Sequence, residues 1–561
     1  MTESGSDLPQ AVDTEARLAR LTRRKDDWVR VGIPDRLDYL RSCSEGLLGV
    51  SGEWVRLACA AKGIDDQSAL AGEEWISGPM VILRSLRLLR LALENQGRPR
   101  PGGVRSRDDG QLVADVMPAS LFDRLLFPGV RAEVWIEPGK PADQGRIYRE
   151  KIAGQYPAGR VALVLGAGNI GSIAPTDVLH KLFVEDQVVL LKMNPINDYL
   201  GPLIDRAFGS LVADGYFSVT QGGPEVGSAL CHDPRVDTIH LTGSDRTHDA
   251  IVWGDAEHRK KRKAERVPEL NKPITSELGC VTPVLVVPGP WTPSELDFQA
   301  RHVAAMVAHN ASFNCNAAKV LVTARSWDLR DTFVERVERH LALAPPRKPY
   351  YPGARERYTE FLDRYPNARP LGTPSPQGIP WTIIPDVPAC SGEYALTHEA
   401  FCGVLAVTGL VADDAPGFLE SAVTFVNDSV WGTLSCVVLI DPRTARRHAR
   451  QLDRAVADLR YGGIGINVWA GVNFALGATS WGAFPGNTSA NIGSGRGTVH
   501  NTFLFDHPEK SVVRGPWRPY PKPVLFVGHR SLDVLGRKLT AFEATPSLAK
   551  VPGILLTALR G

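Results

Sequence analysis

The sequence lacks a marked excess of charge of either sign. Its 561 residues include 64 Lys and Arg against 62 Asp and Glu, which gives a formal net charge of +2. No overall electrostatic field would therefore attract the chain to nucleic acid or to an anionic membrane surface. A small molecule is the expected partner, and nucleic acid is not.

Long apolar runs are missing as well. No uninterrupted apolar stretch is long enough to span a bilayer. The first residues, Met-Thr-Glu-Ser-Gly-Ser-Asp, lack the basic and then apolar profile of a secretory signal. These two absences predict a cytoplasmic protein that does not insert into membranes.

The cysteines lack the spacing of a metal site or of a disulfide framework. No C-x-x-C pair and no His-rich neighbourhood occurs, so we expect neither a zinc site nor any other metal. Most of these thiols are expected to be reduced and buried, which leaves one free to act as a nucleophile. The eight cysteines are Cys43, Cys59, Cys231, Cys280, Cys315, Cys390, Cys402 and Cys436.

What is present is the composition and periodicity of a large folded α/β protein. Hydrophobic residues make up 43% and charged residues 22% of a chain long enough for roughly three or four packed units. Apolar residues recur at helical spacing from Glu15 to about Gln96. From Val161 onward predicted strands alternate with predicted helices, which is typical of a parallel, doubly wound sheet, and a second α/β region begins after Pro283. The first predicted strands are 161–165, 187–192, 217–221, 238–241 and one near Ile274.

Three segments outside this alternation have their own patterns. Residues 131–137 alternate between polar and apolar, turn through a Pro-Gly segment and resume near Ile147, which indicates a β-hairpin arm. The basic run 258–263 indicates a solvated loop, with a phosphate contact as the alternative. The segment from about Lys510 to the end contains no motif and is expected to pack on the surface.

A glycine pattern after the first strand resembles a dinucleotide fingerprint. Gly166, Gly168 and Gly171 fit G-x-G-x-x-G directly after a predicted strand. The position about twenty residues further on, where an acidic residue should bind the ribose, is Lys192. The pattern therefore fails its confirming test and is weak evidence alone.

Five separated segments carry the chemistry, and their order and spacing matter more than any one of them. One of them holds Cys315, which lies 38 residues after Glu277 and which alone would be taken for a buried structural cysteine. The segments are Gly168-Asn169 with Val188–Lys192, His232–Ser244, Ser276–Gly279, Asn310–Val320 and His398–Phe401. Together they resemble the aldehyde dehydrogenase superfamily over roughly residues 130 to 500.

The resemblance implies a role for each matching residue. Cys315 would attack the aldehyde carbon, Asn169 would donate to the substrate oxygen, and Glu277 would activate the water that releases the acid. Lys192 would approach the adenosine ribose and Gly243-Ser244 the pyrophosphate. Glu399 would bind the nicotinamide ribose and Phe401 would border the nicotinamide ring. The implied reaction is oxidation of an aldehyde to a carboxylic acid, with hydride transfer to NAD or NADP.

The resemblance also implies an architecture: two doubly wound α/β domains, one for the cofactor and one for catalysis, plus a β-hairpin oligomerisation arm. A homodimer or homotetramer is expected. The implied divisions are a helical part of the cofactor domain (1–127), the arm (128–155), a Rossmann-like NAD(P)-binding domain (156–280), the catalytic domain (281–475), a return to the arm (476–510) and a C-terminal extension (511–561).

Several positions depart from the family's pattern. Cys280 replaces the second glycine of E-L-G-G, Ser312-Phe313 replaces Gly-Gln before the nucleophile, and Cys402-Gly403 replaces Gly-Pro. Pro195 stands where a glutamate often accepts from the adenosine ribose and disfavours a 2'-phosphate. NAD is the expected cofactor, and NADP stays open.

Two other functions remain as alternatives. Coenzyme A instead of water could release the thioester, although Glu277 favours water. A catalytically silent homologue could serve as a scaffold, although the presence of Asn169, Glu277 and Cys315 together argues against it. Trp481 and Phe484 are candidates for an aromatic mouth of the pocket, and core packing explains them equally well.

Overall fold

The computed structural model describes residues 7–373 and 375–561, with side chains described from residue 13 onward. Its helices are α1 (Asp7–Trp28), α2 (Ile33–Lys62), α3 (Gly72–Trp75), α4 (Val81–Glu94), α5 (Leu121–Leu126), α6 (Arg146–Ile152), α7 (Ile173–Phe183), α8 (Gly201–Ala207), α9 (Gly209–Ala213), α10 (Pro224–His232), α11 (Asp245–Trp253), α12 (Ala256–Glu265), α13 (Pro293–Ala308), α14 (Arg330–Ala342), α15 (Ala354–Arg364), α16 (Tyr394–Thr397), α17 (Ala415–Ser429), α18 (Pro442–Arg447), α19 (Ala449–Asp458), α20 (Val472–Leu476), α21 (Leu532–Ala544) and α22 (Val551–Leu559). Short helical turns lie at Ala69–Ala71, Ile76–Met80, Asp198–Leu200, His309–Ser312 and Leu548–Lys550.

Nineteen strands are described, and most belong to two sheets. They are β1 (Gly103–Ser106), β2 (Leu112–Met117), β3 (Arg131–Ile136), β4 (Val161–Leu165), β5 (Val188–Lys192), β6 (Phe217–Thr220), β7 (Thr238–Thr242), β8 (Ile274–Glu277), β9 (Thr282–Val286), β10 (Ala318–Ala324), β11 (Arg369–Leu371), β12 (Trp381–Ile384), β13 (Val404–Leu410), β14 (Ser435–Leu439), β15 (Gly463–Ile466), β16 (Trp481–Gly482), β17 (Gly495–Arg496), β18 (Thr498–His500) and β19 (Pro508–Arg514).

The N-terminal helices α1, α2 and α4 confirm the helical periodicity. In α2 the residues Leu40, Cys43, Leu47 and Trp54 recur at three, four and seven spacing, and all are buried. They share one hydrophobic core with the first parallel strands. The helix ends at Gly63, whose φ of 66° is the left-handed conformation that glycine adopts without a Cβ clash.

The six-stranded sheet confirms the first doubly wound region. Its order is β17-β8-β7-β4-β5-β6, and β8, β7, β4, β5 and β6 run parallel. Helices α7 to α12 connect these strands. Strands β4 and β5 are buried along their whole length because helices cover both faces of the sheet, which explains their continuous apolar sequences.

The eleven-stranded sheet confirms the second α/β region. Its order is β1-β2-β3-β19-β15-β14-β9-β10-β13-β12-β11. The central strands, from β19 to β12, run parallel, while β3, β2 and β1 at one end and β11 at the other are antiparallel to their neighbours. Strands β9, β10, β13 and β14 lie in the centre of the largest hydrophobic core.

The predicted hairpin arm is wrong in its second half. Residues after the Pro-Gly turn form helix α6 instead of a strand, and its Tyr148 hydroxyl donates to the carbonyl of Phe183 at 2.6 Å. The first half, β3, pairs with β2 on one edge and with β19 on the other. Both edges of this strand are therefore occupied within the chain. Residues 1–127, named above as a helical part of the cofactor domain, also contain β1 and β2, which lie beyond the predicted helical stretch and extend the eleven-stranded sheet.

The expected surface packing of the C-terminal segment is also wrong. Strand β19 lies between β3 and β15, and the predicted division at residue 511 falls inside it. Helix α21 brings Glu543 to the buried guanidinium groups of Arg84 and Arg87, at 2.9 and 2.6 Å. Burial of this kind depends on a partner 456 residues away, so no local pattern indicates it.

The basic run is helical instead of forming a loop. Residues 256–265 form α12, whose first turn is capped by the Asp255 side chain accepting from the His258 amide. None of its residues is buried. The expectation of a solvated segment is therefore confirmed, although its conformation is regular.

Candidate active site

The candidate residues meet along the carboxyl edge of the six-stranded sheet and the loop that precedes β10. Asn169 follows β4, Lys192 ends β5, Gly243 follows β7, and Glu277 ends β8. Cys315 lies between the turn His309–Ser312 and β10. Carboxyl ends of parallel strands share one edge of a sheet, and this is where open α/β sheets bind their ligands.

Two cavities meet at the candidate nucleophile. The larger has a volume of about 860 Å³, and every predicted site residue lines it. The smaller has a volume of about 80 Å³. Cys315, Glu277 and Asn169 line both, so a ligand in one cavity would face a ligand in the other across these three side chains.

The thiol and the carboxylate contact each other directly. Cys315 Sγ donates to Glu277 Oε1 at 3.0 Å. Burial raises the pKa of Cys315 well above its usual value, and the negative charge of Glu277 raises it further. Burial raises the pKa of Glu277 as well, although the hydrogen bonds from Cys315 and Trp481 oppose this shift. At rest the pair is a thiol bonded to a carboxylate that is a stronger base than an exposed one.

Asn169 is fixed through its backbone and its side chain. Its Nδ2 donates to the carbonyl of Phe313 at 2.9 Å, inside the nucleophile loop. Its own carbonyl accepts from Lys62 Nζ at 3.1 Å, from the Tyr350 hydroxyl at 3.0 Å and from Asn310 Nδ2 at 3.2 Å. Three donors on one carbonyl leave the loop after β4 little freedom.

Lys62 is an anchor that the sequence did not indicate. Its ammonium is buried and donates to both carboxylate oxygens of Glu74, at 2.9 and 3.0 Å, and to Asn310 Oδ1 at 3.0 Å. A buried ammonium is stable only when it is paired in this way. Lys62 ends a helix 107 residues before Asn169. No local signal could have linked the two.

The nucleophile loop has an unusual backbone. Asn310, Ala311 and Ser312 have φ values of 53°, 54° and 69°, so three consecutive side chains occupy the left-handed region. The substituted Phe313 is buried against Tyr350, Tyr351 and other aromatic rings instead of lining a cavity. The Phe313 ring, at the second position of the usual Gly-Gln, therefore stabilises the loop by packing against these rings. Cys280 is likewise buried, next to the Ser435 carbonyl.

The turn at Gly243-Ser244 lines the larger cavity, and part of its backbone is already hydrogen-bonded within the protein. The amide of Gly243 donates to the carbonyl of Glu277 at 3.0 Å, so it is not unpaired. The Ser244 hydroxyl caps α11 by accepting from the Thr247 amide at 3.1 Å. The parallel pairing of β7 with β8 uses the Gly243 amide. The register of that pair, and with it this hydrogen bond, could not be deduced from the sequence.

Glu399 and Phe401 lie on the opposite wall of the larger cavity. Burial raises the pKa of Glu399 to about 7, against the opposing charge of Lys319. Its Oε1 is buried and has no hydrogen-bond partner within the described part of the chain. Arg357 donates to the carbonyls of Ala400 and Phe401, which fixes this loop.

The glycines of the G-x-G-x-x-G pattern have packing roles. A Cβ at Gly168 would lie 2.7 Å from Asn194 Oδ1, and one at Gly171 would lie 3.0 Å from Trp54 Nε1. Side chains from a neighbouring loop and from α2 approach too closely for any larger residue. Their spacing therefore reflects packing, in agreement with the failed fingerprint test.

Aromatic and aliphatic side chains form most of the smaller cavity. Trp469, Phe474 and Trp481 line it together with Val472 and Leu525. Trp481 is therefore a cavity residue, as one of the two sequence interpretations proposed. Phe484 does not line this cavity and instead lies beside Lys510, 5.1 Å from its ammonium.

Metal-ligand groups and membrane-spanning helices are both absent from the part of the chain that the structure describes. Among the described residues no group of three or more His, Cys, Asp or Glu side chains is arranged to bind a metal ion. Across the same residues, no helix combines the length and the hydropathy needed to cross a bilayer.

Comparisons with known proteins agree with this geometry. Residues 190–351 match the model of the aldehyde dehydrogenase family. The substrate-bound structure of Staphylococcus aureus AldH aligns with 91% of this chain and 96% of its own, at a TM-score of 0.60 and 16% identity. The chain therefore has the fold of the aldehyde dehydrogenases, and residues 190–351 are similar in sequence to that family.

Two further proteins show how far the similarity extends. The NAD+ complex of a Mycobacterium tuberculosis aldehyde dehydrogenase has a TM-score of 0.60 and 19% identity, with 91% of each chain aligned. At such identities the likeness establishes the aldehyde dehydrogenase fold alone. The 4-trimethylaminobutyraldehyde dehydrogenase A of Danio rerio is 36% identical over 75 residues, which cover 13% of this chain and 12% of that protein. The chain thus matches only about an eighth of the length of this curated relative.

Proposed function

We propose that this protein is an NAD(P)-dependent aldehyde dehydrogenase that oxidises an aldehyde to a carboxylic acid through a thioester on Cys315. The observation that carries the proposal is the 3.0 Å hydrogen bond from Cys315 Sγ to Glu277 Oε1, at the junction of the two cavities. A thiol beside a base, facing two ligand cavities, is the arrangement that covalent catalysis on a carbonyl requires.

The larger cavity fits a nicotinamide dinucleotide. The unpartnered, buried Oε1 of Glu399 is an acceptor that a ribose hydroxyl would satisfy. Lys192 and the start of α11 line the same cavity, where a cation and a helix N-terminus favour an anionic ligand. When bound, the nicotinamide accepts the hydride from the substrate. We propose NAD as the cofactor; Pro195, which also lines this cavity, carries no charge that would repel the 2'-phosphate of NADP.

Glu277 is proposed to accept the thiol proton when an aldehyde is present. The proton moves from Cys315 Sγ to Glu277 Oε1, and the thiolate attacks the carbonyl carbon. An amide nitrogen carries two hydrogens, so the Asn169 bond to Phe313 leaves one for the developing oxyanion. The Cys315 backbone amide would be the second donor, and losing one such donor typically costs about 3 kcal/mol of barrier.

Water is the proposed acceptor of the acyl group. After the hydride has left and Glu277 has released the thiol proton to solvent, its carboxylate can take a proton from a water that attacks the thioester, since burial makes it a stronger base. Neither Cys280 nor Phe313 lines either cavity, so these two departures from the family's pattern do not open a channel for coenzyme A. The C-terminal segment contributes Leu525 to the smaller cavity only.

The proposed substrate is a short, uncharged aldehyde. The smaller cavity has room for roughly two or three groups the size of a water molecule. Glu277 is the single acidic side chain in its described lining, and no Lys or Arg lines it. Burying an unpaired charge there would be unfavourable, so neutral aldehydes should be preferred over the trimethylammonium aldehyde in the name of the Danio relative.

The test is the formation of reduced nicotinamide, followed by absorbance, with butanal, succinic semialdehyde and 4-trimethylaminobutyraldehyde. Each is assayed with NAD or NADP, with and without coenzyme A. Wild type should turn over butanal without coenzyme A, Cys315→Ala should not, and Cys390→Ala, at an exposed cysteine, should match wild type. Dependence on coenzyme A would establish the acylating alternative. Binding of cofactor with no turnover of any aldehyde would favour the scaffold alternative.

We also propose a cellular location, an oligomeric state and the limits of two structural units. All eight cysteines are free thiols, which supports a reducing compartment such as the cytoplasm. A homodimer or homotetramer is proposed from the family resemblance. We propose that residues 156–280 form the cofactor-binding unit and 281–475 the catalytic unit, because the two sheets divide the chain near β8 and β9.

A further inference from the structure

Both carboxylate oxygens of Glu277 have a partner. Oε1 accepts from Cys315, and Oε2 accepts from the indole Nε1 of Trp481 at 2.8 Å. The Glu277 side chain is almost completely buried, at 1% exposure, so water does not compete freely for these oxygens. The orientation of the carboxylate is therefore determined by one thiol and one indole.

The indole of Trp481 is also packed on several sides. Trp481 lies on β16, where it pairs with His500 of β18, and its ring meets Phe474 edge to face at 6.0 Å. Gly463 leaves the space that the ring occupies, since a Cβ there would lie 2.8 Å from Trp481 Cζ3. Trp481 is 2% exposed, so bulk water does not compete for its N–H.

We propose that Trp481 is a positioning residue, which holds the Glu277 carboxylate against Cys315 and favours its charged form as the base of the reaction. This inference rests on the proposed dehydrogenase function. An indole N–H can donate but cannot accept, so it interacts favourably with the carboxylate and not with a carboxylic acid proton. Burial opposes ionisation of Glu277, and the Trp481 hydrogen bond counteracts part of that effect on its pKa.

The same bond serves both proton transfers. In the first, the thiol proton passes to Oε1 while Oε2 stays on the indole, so the carboxyl group need not rotate. In the second, after that proton has passed to solvent, Oε1 faces the thioester on Cys315 and can take a proton from the attacking water. Trp481 also lines the smaller cavity, so the substrate and the base share one rigid wall.

The variant that tests this is Trp481→Phe, which keeps an aromatic ring and removes the N–H. The rate constant kcat/KM for butanal is measured across pH for wild type and variant. Removing a hydrogen bond to the charged form of Glu277 raises its pKa, so the midpoint of the acidic limb should rise by about one pH unit or more. Below that midpoint the variant should be roughly tenfold slower, and KM for butanal should change little.

Trp469→Phe is the matched control. Trp469 lines the same cavity, and its indole donates at 2.8 Å to the carbonyl of Asn316, which does not titrate. Its pH profile should keep the wild-type midpoint whatever happens to its rate. A shift of the same size in both variants, or no shift in Trp481→Phe, would overturn the proposal. A loss of rate at all pH values equally would show that the Trp481 side chain only packs.

A second readout does not need turnover. Alkylation of Cys315 by iodoacetamide is followed across pH by mass spectrometry of the Cys315 peptide, which separates it from the exposed Cys390. The acidic limb of this profile should shift upward in Trp481→Phe and not in Trp469→Phe. If wild type oxidises no aldehyde, the proposed function fails while this measurement still decides the role of Trp481. Superimposable alkylation profiles for wild type and Trp481→Phe would contradict it.

Discussion

Three residues in the loop that precedes Cys315 have a backbone conformation that non-glycine residues rarely adopt. Each non-glycine residue in the left-handed region costs roughly 1–2 kcal/mol. Asn310, Ala311 and Ser312 are nonetheless held there, since Asn310 bonds to Lys62, Tyr350 and the carbonyl of Asn169. The loop that presents Cys315 is thus fixed by contacts strong enough to offset its strain.

Replacing Ser312 by glycine should stabilise the protein. Glycine removes the steric cost at φ 69° and a buried hydroxyl without a partner, which together outweigh the roughly 0.5–1 kcal/mol of added unfolded-state entropy. We expect a gain of about 1 kcal/mol in the free energy of unfolding, measured by urea denaturation. Ala308→Gly, at φ −81°, should instead lose about that amount. Equal destabilisation by both changes would show that Ser312 is not strained.

Glu399 should make stability depend on pH. Its folded pKa of about 7 lies above the ordinary 4.5, so ionisation is unfavourable in the folded state. This group therefore favours folding below about pH 4.5 and loses that contribution as pH rises to about 7. The free energy of unfolding of Glu399→Gln, relative to that of wild type, should therefore increase by about 3 kcal/mol from pH 5 to pH 8. Urea denaturation at both pH values measures this difference. A difference that is the same at both pH values would contradict the assigned pKa.

At the scale of residues, sequence reasoning found the groups that stand in local motifs. Cys315, Glu277 and Asn169 were predicted to meet, and the structure brings them together. Trp481 and Lys62 contact them from 204 and 107 residues away, so only the folded chain reveals those contacts. The positive φ values were equally hidden, because nothing in the letters Asn-Ala-Ser indicates left-handed backbone.

Among the elements, the strands of both parallel sheets were the easiest to predict. They are short apolar runs bounded by turn residues, such as 161–165, and burial on both faces imposes that composition. Helix α6 and strands β1 and β2 were missed because they are short and partly exposed, where the hydrophobic pattern is weak. The position of β19 was missed because sheet order depends on contacts between distant segments.

Helix α21 should depend on its buried carboxylate. Glu543 bonds to Arg84 and Arg87 of α4, and all three side chains are at most 7% exposed. Glu543→Ala leaves two guanidinium groups without this partner and should cost about 3–5 kcal/mol in the free energy of unfolding. Glu94→Ala breaks the more exposed Arg90–Glu94 pair, which lies within α4. It should cost less than about 0.5 kcal/mol in the free energy of unfolding. Similar small losses from both would show that α21 is held by its apolar face alone.

For the whole molecule, the order of the eleven-stranded sheet bears on assembly. Strand β3 is internal, so β1 is the outermost strand at that end of the sheet. An edge strand is where a second copy could extend the sheet. Sedimentation should show a dimer or tetramer of the 61.0 kDa chain, and Val104→Lys, on exposed β1, should weaken it if this edge is used. A monomer at all concentrations would refute the proposed assembly.

Cys315 is proposed to carry the acyl group between hydride transfer and hydrolysis. The most direct test mixes the protein with NAD and butanal, quenches with acid before one turnover is complete, and maps the peptides by mass spectrometry. We expect a butanoyl mass increment on the Cys315 peptide, in step with the first equivalent of reduced cofactor. Reduced cofactor with no acyl group on any cysteine, or with the acyl group on a cysteine other than Cys315, would contradict it.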